Sequence, residues 1–509
     1  MSLNIESIIL DFLSPIEPIR KKSESLLTSY FNSMLITELS KFYSILRTSQ
    51  NDNVKLYTSI FIKNFIEQKI TSENRNELIE YINTYKYDIF NIILNSNLEK
   101  KTINLLILSL CEGLSYFQID MINYNKTVYE LCSYIFQFYN QQKNNNFLND
   151  NISISKTLFV CSKFIKYIDK DMNKIMYENV YNLDKDDNNE LNKNNTEENN
   201  FEKLNLKFYN VIVDDYNNLY KIIIDNGNKS SMNNQQIYEY IILYLKIFKY
   251  SLIYLERNSR EKILEINYNL IIYFFNKLLN NNTSINTDSS LLFIIKYFSD
   301  IILLSNKIII KYLSTHIIKI TLNTIKNYSS FFYSFISDEN LFSTIEKIFN
   351  TEKNKFIIDI IQFFYKLIDL VYITFPEYSR LCDENNKNNF KEISEYINQI
   401  LFTKDNIKFL LFFVIKKCFI FNENEIFLAQ ENCENFYLCF TEYSSLYDIK
   451  NISGNLCNLI YTIFKKKYND IFKFLENNLI SLTLKENQNS NLTGDELNIK
   501  CAFLIFFIT

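Results

Sequence analysis

Any chemistry in this chain would have to start from thiols, because little else reactive is spaced for it. Nine cysteines occur: Cys111, Cys132, Cys161, Cys382, Cys418, Cys433, Cys439, Cys457 and Cys501. A cysteine nucleophile needs a neighbouring base or a positive field to lower its pKa. The only histidine, His316, sits among apolar neighbours in Leu313–Ile320. A place in a core or between helices is expected there, not the role of a general base. No CxxC pair is present, and one histidine cannot complete the usual zinc spacings. The odd, scattered cysteine count fits reduced, buried thiols of an intracellular protein. No two of the 4 glycines lie near each other, so no phosphate-cradling loop is available. No catalytic residue, metal or cofactor is expected, and the chain reads as a binding protein rather than an enzyme.

Charge is the other resource. Lys and Arg total 54 against 58 Asp and Glu, a net charge of −4. That balance gives no electrostatic footprint for nucleic acid or an anionic membrane. Locally, Lys55, Ser59, Lys63 and Glu67 recur every four residues beside the apolar series Val54, Tyr57, Phe61 and Phe65. This predicts one helix with a polar stripe and an apolar stripe. Glu423, Glu425, Glu431 and Glu434 stand in a polar connection, Asn422–Asn435. They read either as a solvated loop or as an acidic surface facing a basic partner.

The elements that hold these residues follow from what is scarce. The chain has 4 Gly, 3 Pro, 2 Ala (Ala429 and Ala502) and no Trp. Sandwiches and barrels need a tight turn every 8–12 residues or so, which so few glycines cannot supply. Helices joined by Asn, Ser and Asp turns remain. Ile241, Leu245, Phe248 and Leu252 repeat the helical period, as do Ile452, Leu456, Leu459 and Ile463. Ser14, Pro15 and Glu17 predict a capped helix start, which separates Leu3–Leu13 from Pro15–Thr28. Apolar-periodic segments continue to the end, among them 288–304, 306–326, 328–349, 353–374 and 376–402. The spacing predicts about ten antiparallel pairs of roughly 40–47 residues each. The fold class is therefore all-α, an α-solenoid of HEAT-type helix pairs forming a superhelical arch.

Asp184–Asn200 breaks the pattern, with seven Asn and six acidic residues. It predicts a disordered insertion. The expected organisation is residues 1–182 as N-terminal repeats, 183–203 as the insertion and 204–509 as further repeats. The apolar stretch 291–322 is interrupted by Lys296, Asp300, Lys307, Lys311 and Lys319. No run approaches the ~20 residues a membrane span requires. No signal peptide or membrane insertion is expected, and the chain is expected to be a monomer.

The opening stretch Ile8–Leu27 resembles the first HEAT repeat of the importin-β (karyopherin-β) superfamily of nuclear transport receptors. Ser14, Pro15, Arg20, Ser23, Glu24 and Leu27 occupy the matching positions. Val54–Ile66 is similar to that family's second inner helix, with Lys63 and Asn64 in its aliphatic-Lys-Asn-aliphatic run. Lys55 stands near the family's usual Arg, and Tyr57 and Thr58 replace its small residues. Near the other end, Asn432–Phe436 resembles an Asp-Pro-x-x-Phe element of the importin-nine-like receptors of histones and ribosomal proteins. Asn432 and Cys433 replace its Asp and Pro, and its tryptophans are missing. Asp495–Phe507 is similar to the helix of that subclass's following repeat.

The resemblance implies nucleocytoplasmic transport. It implies Ran-GTP held by the N-terminal repeats, with Arg20, Lys55, Lys63, Asn64 and Glu67 as candidate contacts. Each could instead be a solvated or inter-repeat residue. It also implies Phe-Gly nucleoporins on the outer helices and protein cargo, such as basic histones or ribosomal proteins, on the inner face. The Glu423–Glu434 surface would then meet cargo or Ran. Receptors of this family are about twice as long, so an N-terminal portion of a longer receptor is expected. The alternative is a HEAT or armadillo scaffold subunit that takes no part in transport.

Overall fold

The apolar period becomes helix throughout the part of the chain that the computed structural model describes. These residues are 4–70, 74–116, 121–144, 153–168, 211–225, 234–252, 257–280, 289–315, 321–349, 353–378, 384–418 and 445–487. No strand occurs among them. The predicted insertion 183–203, His316 and the segments 422–435 and 495–507 lie outside the described residues. The chain divides into two units, Met1–Glu256 and Arg257–Thr509.

The first unit opens with α1 (Ile5–Phe12), α2 (Glu17–Ser33), α3 (Leu39–Thr48) and α4 (Asp52–Lys69). It continues through α5 (Arg75–Asn95), α6 (Lys100–Ser115), α7 (Met121–Asn144), α8 (153–168), α9 (211–225) and α10 (Asn234–Ser251). Asparagine side chains start two of these helices. Asn4 caps α1, and the Asn51 side chain accepts from the N–H groups of Asn53 and Val54 at 3.0 and 3.2 Å. The break at Ser14 is where the sequence puts it, but α2 starts two residues later than predicted. The Ser14 hydroxyl accepts the N–H of Ile16, so it closes a turn instead of capping. Pro18, and not Pro15, then falls in the first turn of α2, where its missing N–H costs nothing.

Consecutive helices pair as α1 with α2, α3 with α4 and α5 with α6. Odd helices stack on odd and even on even. Phe31 of α2 meets Phe61 and Phe65 of α4, and Phe42 of α3 stacks on Phe61. Each pair thus buries its apolar stripe against its neighbours, the arrangement that defines a solenoid. Gly113 allows α6 to lie close to α5, since a Cβ there would sit 2.5 Å from Ile82 Cδ1. Farther on, a buried polar chain joins three helices. The Tyr139 hydroxyl (α7) donates to Asp215 (α9) at 2.8 Å, and Lys143 pairs with the same carboxylate. The Tyr244 hydroxyl (α10) lies 2.6 Å from that of Tyr139.

The second unit contains α11 (Arg257–Asn280), α12 (Ser289–Thr315), α13 (Leu322–Ser337), α14 (Glu339–Phe349) and α15 (Lys353–Asp369). There follow α16 (Phe375–Tyr378), α17 (Glu384–Tyr396), α18 (Lys404–Cys418), α19 (Ser445–Phe464) and α20 (Asn469–Asn487). Helices α12, α15 and α19 form one row, while α13 packs on α11, α17 and α18 in the other. Phenylalanine fills the seam between them. Phe275 meets Phe335 at 5.1 Å, Phe335 meets Phe356 at 5.2 Å, and Phe332 meets Phe363 at 4.5 Å. Phe364, Phe402 and Phe464 carry the contacts on to α19.

Three predicted boundaries are corrected here. The break expected at Ser305 does not occur, because Ser305 and Asn306 are fully buried inside α12. The helix predicted over 328–349 is divided at Asp338, whose carboxylate accepts from the N–H groups of Asn340 and Leu341. The helix predicted to stop at Thr374 runs on past Pro376. It does so through a π turn, Leu370–Thr374, in which Phe375 N–H bonds back to Leu370. The wider turn relieves the clash that a proline makes with the preceding turn of an α-helix. A second π turn, Ile397–Leu401, ends α17, and Tyr372 in the first donates to Asn398 in the second.

Candidate functional site

The residues singled out at the N-terminal end are only partly brought together. Arg20 is exposed on α2, and its side chain makes no polar contact among the described residues. Lys55 does not lie on a surface stripe. It is 5% exposed, pairs with Asp52 at 3.2 Å and donates to the Asn97 carbonyl at 2.8 Å. It therefore ties α4 to the turn between α5 and α6. Ser59, predicted on the same stripe, is also buried and donates to the Leu56 carbonyl. The outward part of the stripe is its second half. Lys63 pairs with Glu67 one turn later, and this bond holds the Glu67 carboxyl below its usual range. Asn64 beside them is half-buried. Glu423, Glu425, Glu431 and Glu434 lie outside the described residues.

The same turn receives a second lysine that the sequence reading did not single out. Lys156 of α8 donates to the carbonyls of Leu94 and Ser96 at 2.8 and 2.6 Å. These carbonyls belong to the last turn of α5 and its exit, where acceptors lack helical partners and the helix dipole is negative. Burial pushes the Lys156 ammonium down to about 8. Beside it lies a cavity of about 590 Å³, whose lining includes Leu98, Lys100, Ile103, Phe159, Glu239 and Tyr240. The signal was present in the sequence as Lys156, Phe159, Lys163 and Lys166, a helical spacing inside a segment read only for its apolar period.

Lys156 gives a pH test. Its folded pKa lies below the unfolded value of about 10.4. Between those values Lys156 binds more protons in the unfolded chain, so this group's contribution to stability rises with pH from about 8 toward 10. A neutral amine still has two N–H groups for the two carbonyls. The buried thiols act in the opposite sense over the same range but are common to both proteins, so the test is the difference between them. The gap in urea midpoint between the native protein and Lys156→Met should widen from pH 7.5 to 9.5, starting from about 1–2 kcal/mol for the loss of both hydrogen bonds.

The thiols among the described residues are not activated. Cys111, Cys161, Cys418 and Cys457 are buried and, with Cys132, are free thiols. Burial pushes the thiols of Cys132 and Cys418 up to about 12, and those of Cys161 and Cys457 well above the ordinary value. Such thiols are poor nucleophiles at neutral pH. Among the described residues no cluster of His, Cys, Asp and Glu could hold a metal ion. No helix among them is long and apolar enough to cross a membrane.

No family profile matches the chain, and no curated protein matches it. Among solved structures, "The exportin Cse1 in its cargo-free, cytoplasmic state" aligns with 99% of this chain at a TM-score of 0.54 and 11% identity. The alignment covers 46% of that protein, so this chain spans less than half its length. At that identity the likeness concerns the fold, and the fold it identifies is an all-α solenoid.

Proposed function

We propose that this chain is part of a nuclear transport receptor of the karyopherin-β kind, which shuttles between cytoplasm and nucleus through the pore. It binds Ran in its GTP form through its N-terminal repeats, takes Phe-Gly nucleoporins in apolar grooves between helices, and carries a protein cargo. The observation that carries this reading is a solenoid that follows an exportin along nearly its whole length. The resemblance of Ile8–Leu27 and Val54–Ile66 to the first two repeats of such receptors supports it. Exposed Leu10, Ile19 and Leu26 on the first helix pair supply apolar surface of the type a Phe-Gly motif needs. A solenoid contacts itself only between neighbouring pairs and so flexes, which lets Ran and cargo oppose each other through curvature.

Within this reading Arg20, Lys63, Asn64 and Glu67 face the partner, and Lys55 supports the surface from below. The test is retention of the protein on immobilised Ran loaded with a non-hydrolysable GTP analogue, compared with Ran-GDP. Selective retention on the GTP form is expected. Arg20→Glu with Lys63→Glu should weaken it about tenfold, since each reversal removes a contact of about 0.5–1 kcal/mol. Equal or absent retention on both forms overturns the reading and favours a scaffold subunit.

A further inference from the structure

Helices α6 and α8 of the first unit carry a basic face. Lys163 and Lys166 of α8 and Lys100 at the start of α6 form no ion pair among the described residues. Lys163 is held below the usual lysine range, by burial first and then by the like charges of Lys166 and Lys246 of α10. Like charges gathered this closely are unfavourable in the free protein and favour an anionic partner. Lys100 and Lys163 both lie over the ring of Phe159, 6.0 and 5.4 Å from its centre. The cavity described above opens beside that ring, with apolar walls from Leu94, Leu98, Ile103 and Tyr240. Acidic groups near this face among the described residues include Glu239 in the cavity wall, Glu112 toward Tyr167 and Glu99 beside Lys100 in sequence.

We propose that this face binds an acidic, extended segment of another protein, with carboxylates on Lys100, Lys163 and Lys166 and an apolar side chain in the cavity beside Phe159. Charge complementarity supplies the sign of the partner, and the cavity supplies its second requirement. A nucleic acid fits less well. Its bases need a free aromatic face for stacking, whereas Phe159 is covered by two ammonium groups, Tyr167 by that of Lys166, and Tyr240 is buried. Its backbone needs a long basic track, whereas this chain is acidic overall. The inference uses the geometry of the first unit alone and does not depend on Ran.

Fluorescence anisotropy of the full chain tests it. The probe is a fluorescein-labelled peptide repeating Glu-Glu-Leu-Glu. Comparators replace Leu with Ser, replace Glu with Lys, or are single-stranded oligothymidylate. The Glu/Leu peptide should bind best, and raising the salt should weaken it. Lys163→Glu with Lys166→Glu should reduce binding at least tenfold, while Lys163→Arg with Lys166→Arg should preserve it. The serine peptide should bind about tenfold more weakly, since one buried leucine is worth about 1.5–3 kcal/mol. Oligothymidylate binding as tightly as the Glu/Leu peptide overturns the proposal. So does unchanged binding after charge reversal in a protein whose circular dichroism and melting are native.

Discussion

Asp215→Ala is expected to cost the first unit about 3 kcal/mol, enough to open α7, α9 and α10 to hydrogen exchange while the second unit stays protected. Asp215 is 3% exposed and accepts from both Tyr139 and Lys143. Tyr139 and Tyr244 are themselves buried, and burial raises both phenols first, with the Asp215 charge adding to it. Removing the carboxylate leaves the Tyr139 hydroxyl without its acceptor and Lys143 without its counter-charge. Breaking a buried pair on one side typically costs 3–5 kcal/mol. The Lys143 side chain is 35% exposed and can turn toward water, which places the expected value at the lower end. Asp215→Asn keeps an oxygen for Tyr139 and should cost less than half as much. Exchange followed by mass spectrometry reads the two units separately. A uniform loss across both, or none in α9, would contradict this account.

The second large effect lies in the phenylalanine seam. Phe332→Ala should destabilise the second unit by about 4 kcal/mol, within the usual range for emptying an aromatic core site. Phe332 is fully buried and packs against Phe331 and Phe363. Phe331 is itself held by Phe275 and Phe335, and Phe363 by Phe364, so the space cannot collapse cheaply. Phe332→Leu keeps most of the volume and should cost about 1–1.5 kcal/mol. The check is the exchange protection of α13 and α15 in both variants. Equal losses in the two variants would mean that refilling the volume recovers nothing at this site and would contradict this account.

Much of this architecture is legible in the residues. The polar connection Ser49–Asn51 falls between α3 and α4, and the series Val54, Tyr57, Phe61, Phe65 faces neighbouring helices. Tertiary packing decides the rest. Ser305–Asn306 has turn residues, yet burial from both neighbouring rows holds it helical. Lys55 has the spacing of a wet stripe, but its destination, the Asn97 carbonyl, is 42 residues away in sequence. Lys156 reaches across 60 residues to Ser96 in the same way. A local pattern cannot distinguish a lysine that ends in solvent from one that caps another helix. The basic face is hidden for a related reason: its members come from two helices that start more than 50 residues apart, and the near-zero net charge of the whole chain conceals them.

The paired π turns bear on how this chain tolerates changes in length. Each holds one residue more than an α turn would in the same place. Deleting a residue from Leu370–Thr374 would tighten it to an ordinary turn and bring back the clash of Pro376 with the turn before it. Tyr372 would then point away from Asn398, to which it is joined in the second π turn. It would also leave Phe464, whose ring lies 5.4 Å from its own. The extra residue is therefore required by its contacts, and its deletion should lower the exchange protection of α17 and α19, which Tyr372 joins through Asn398 and Phe464.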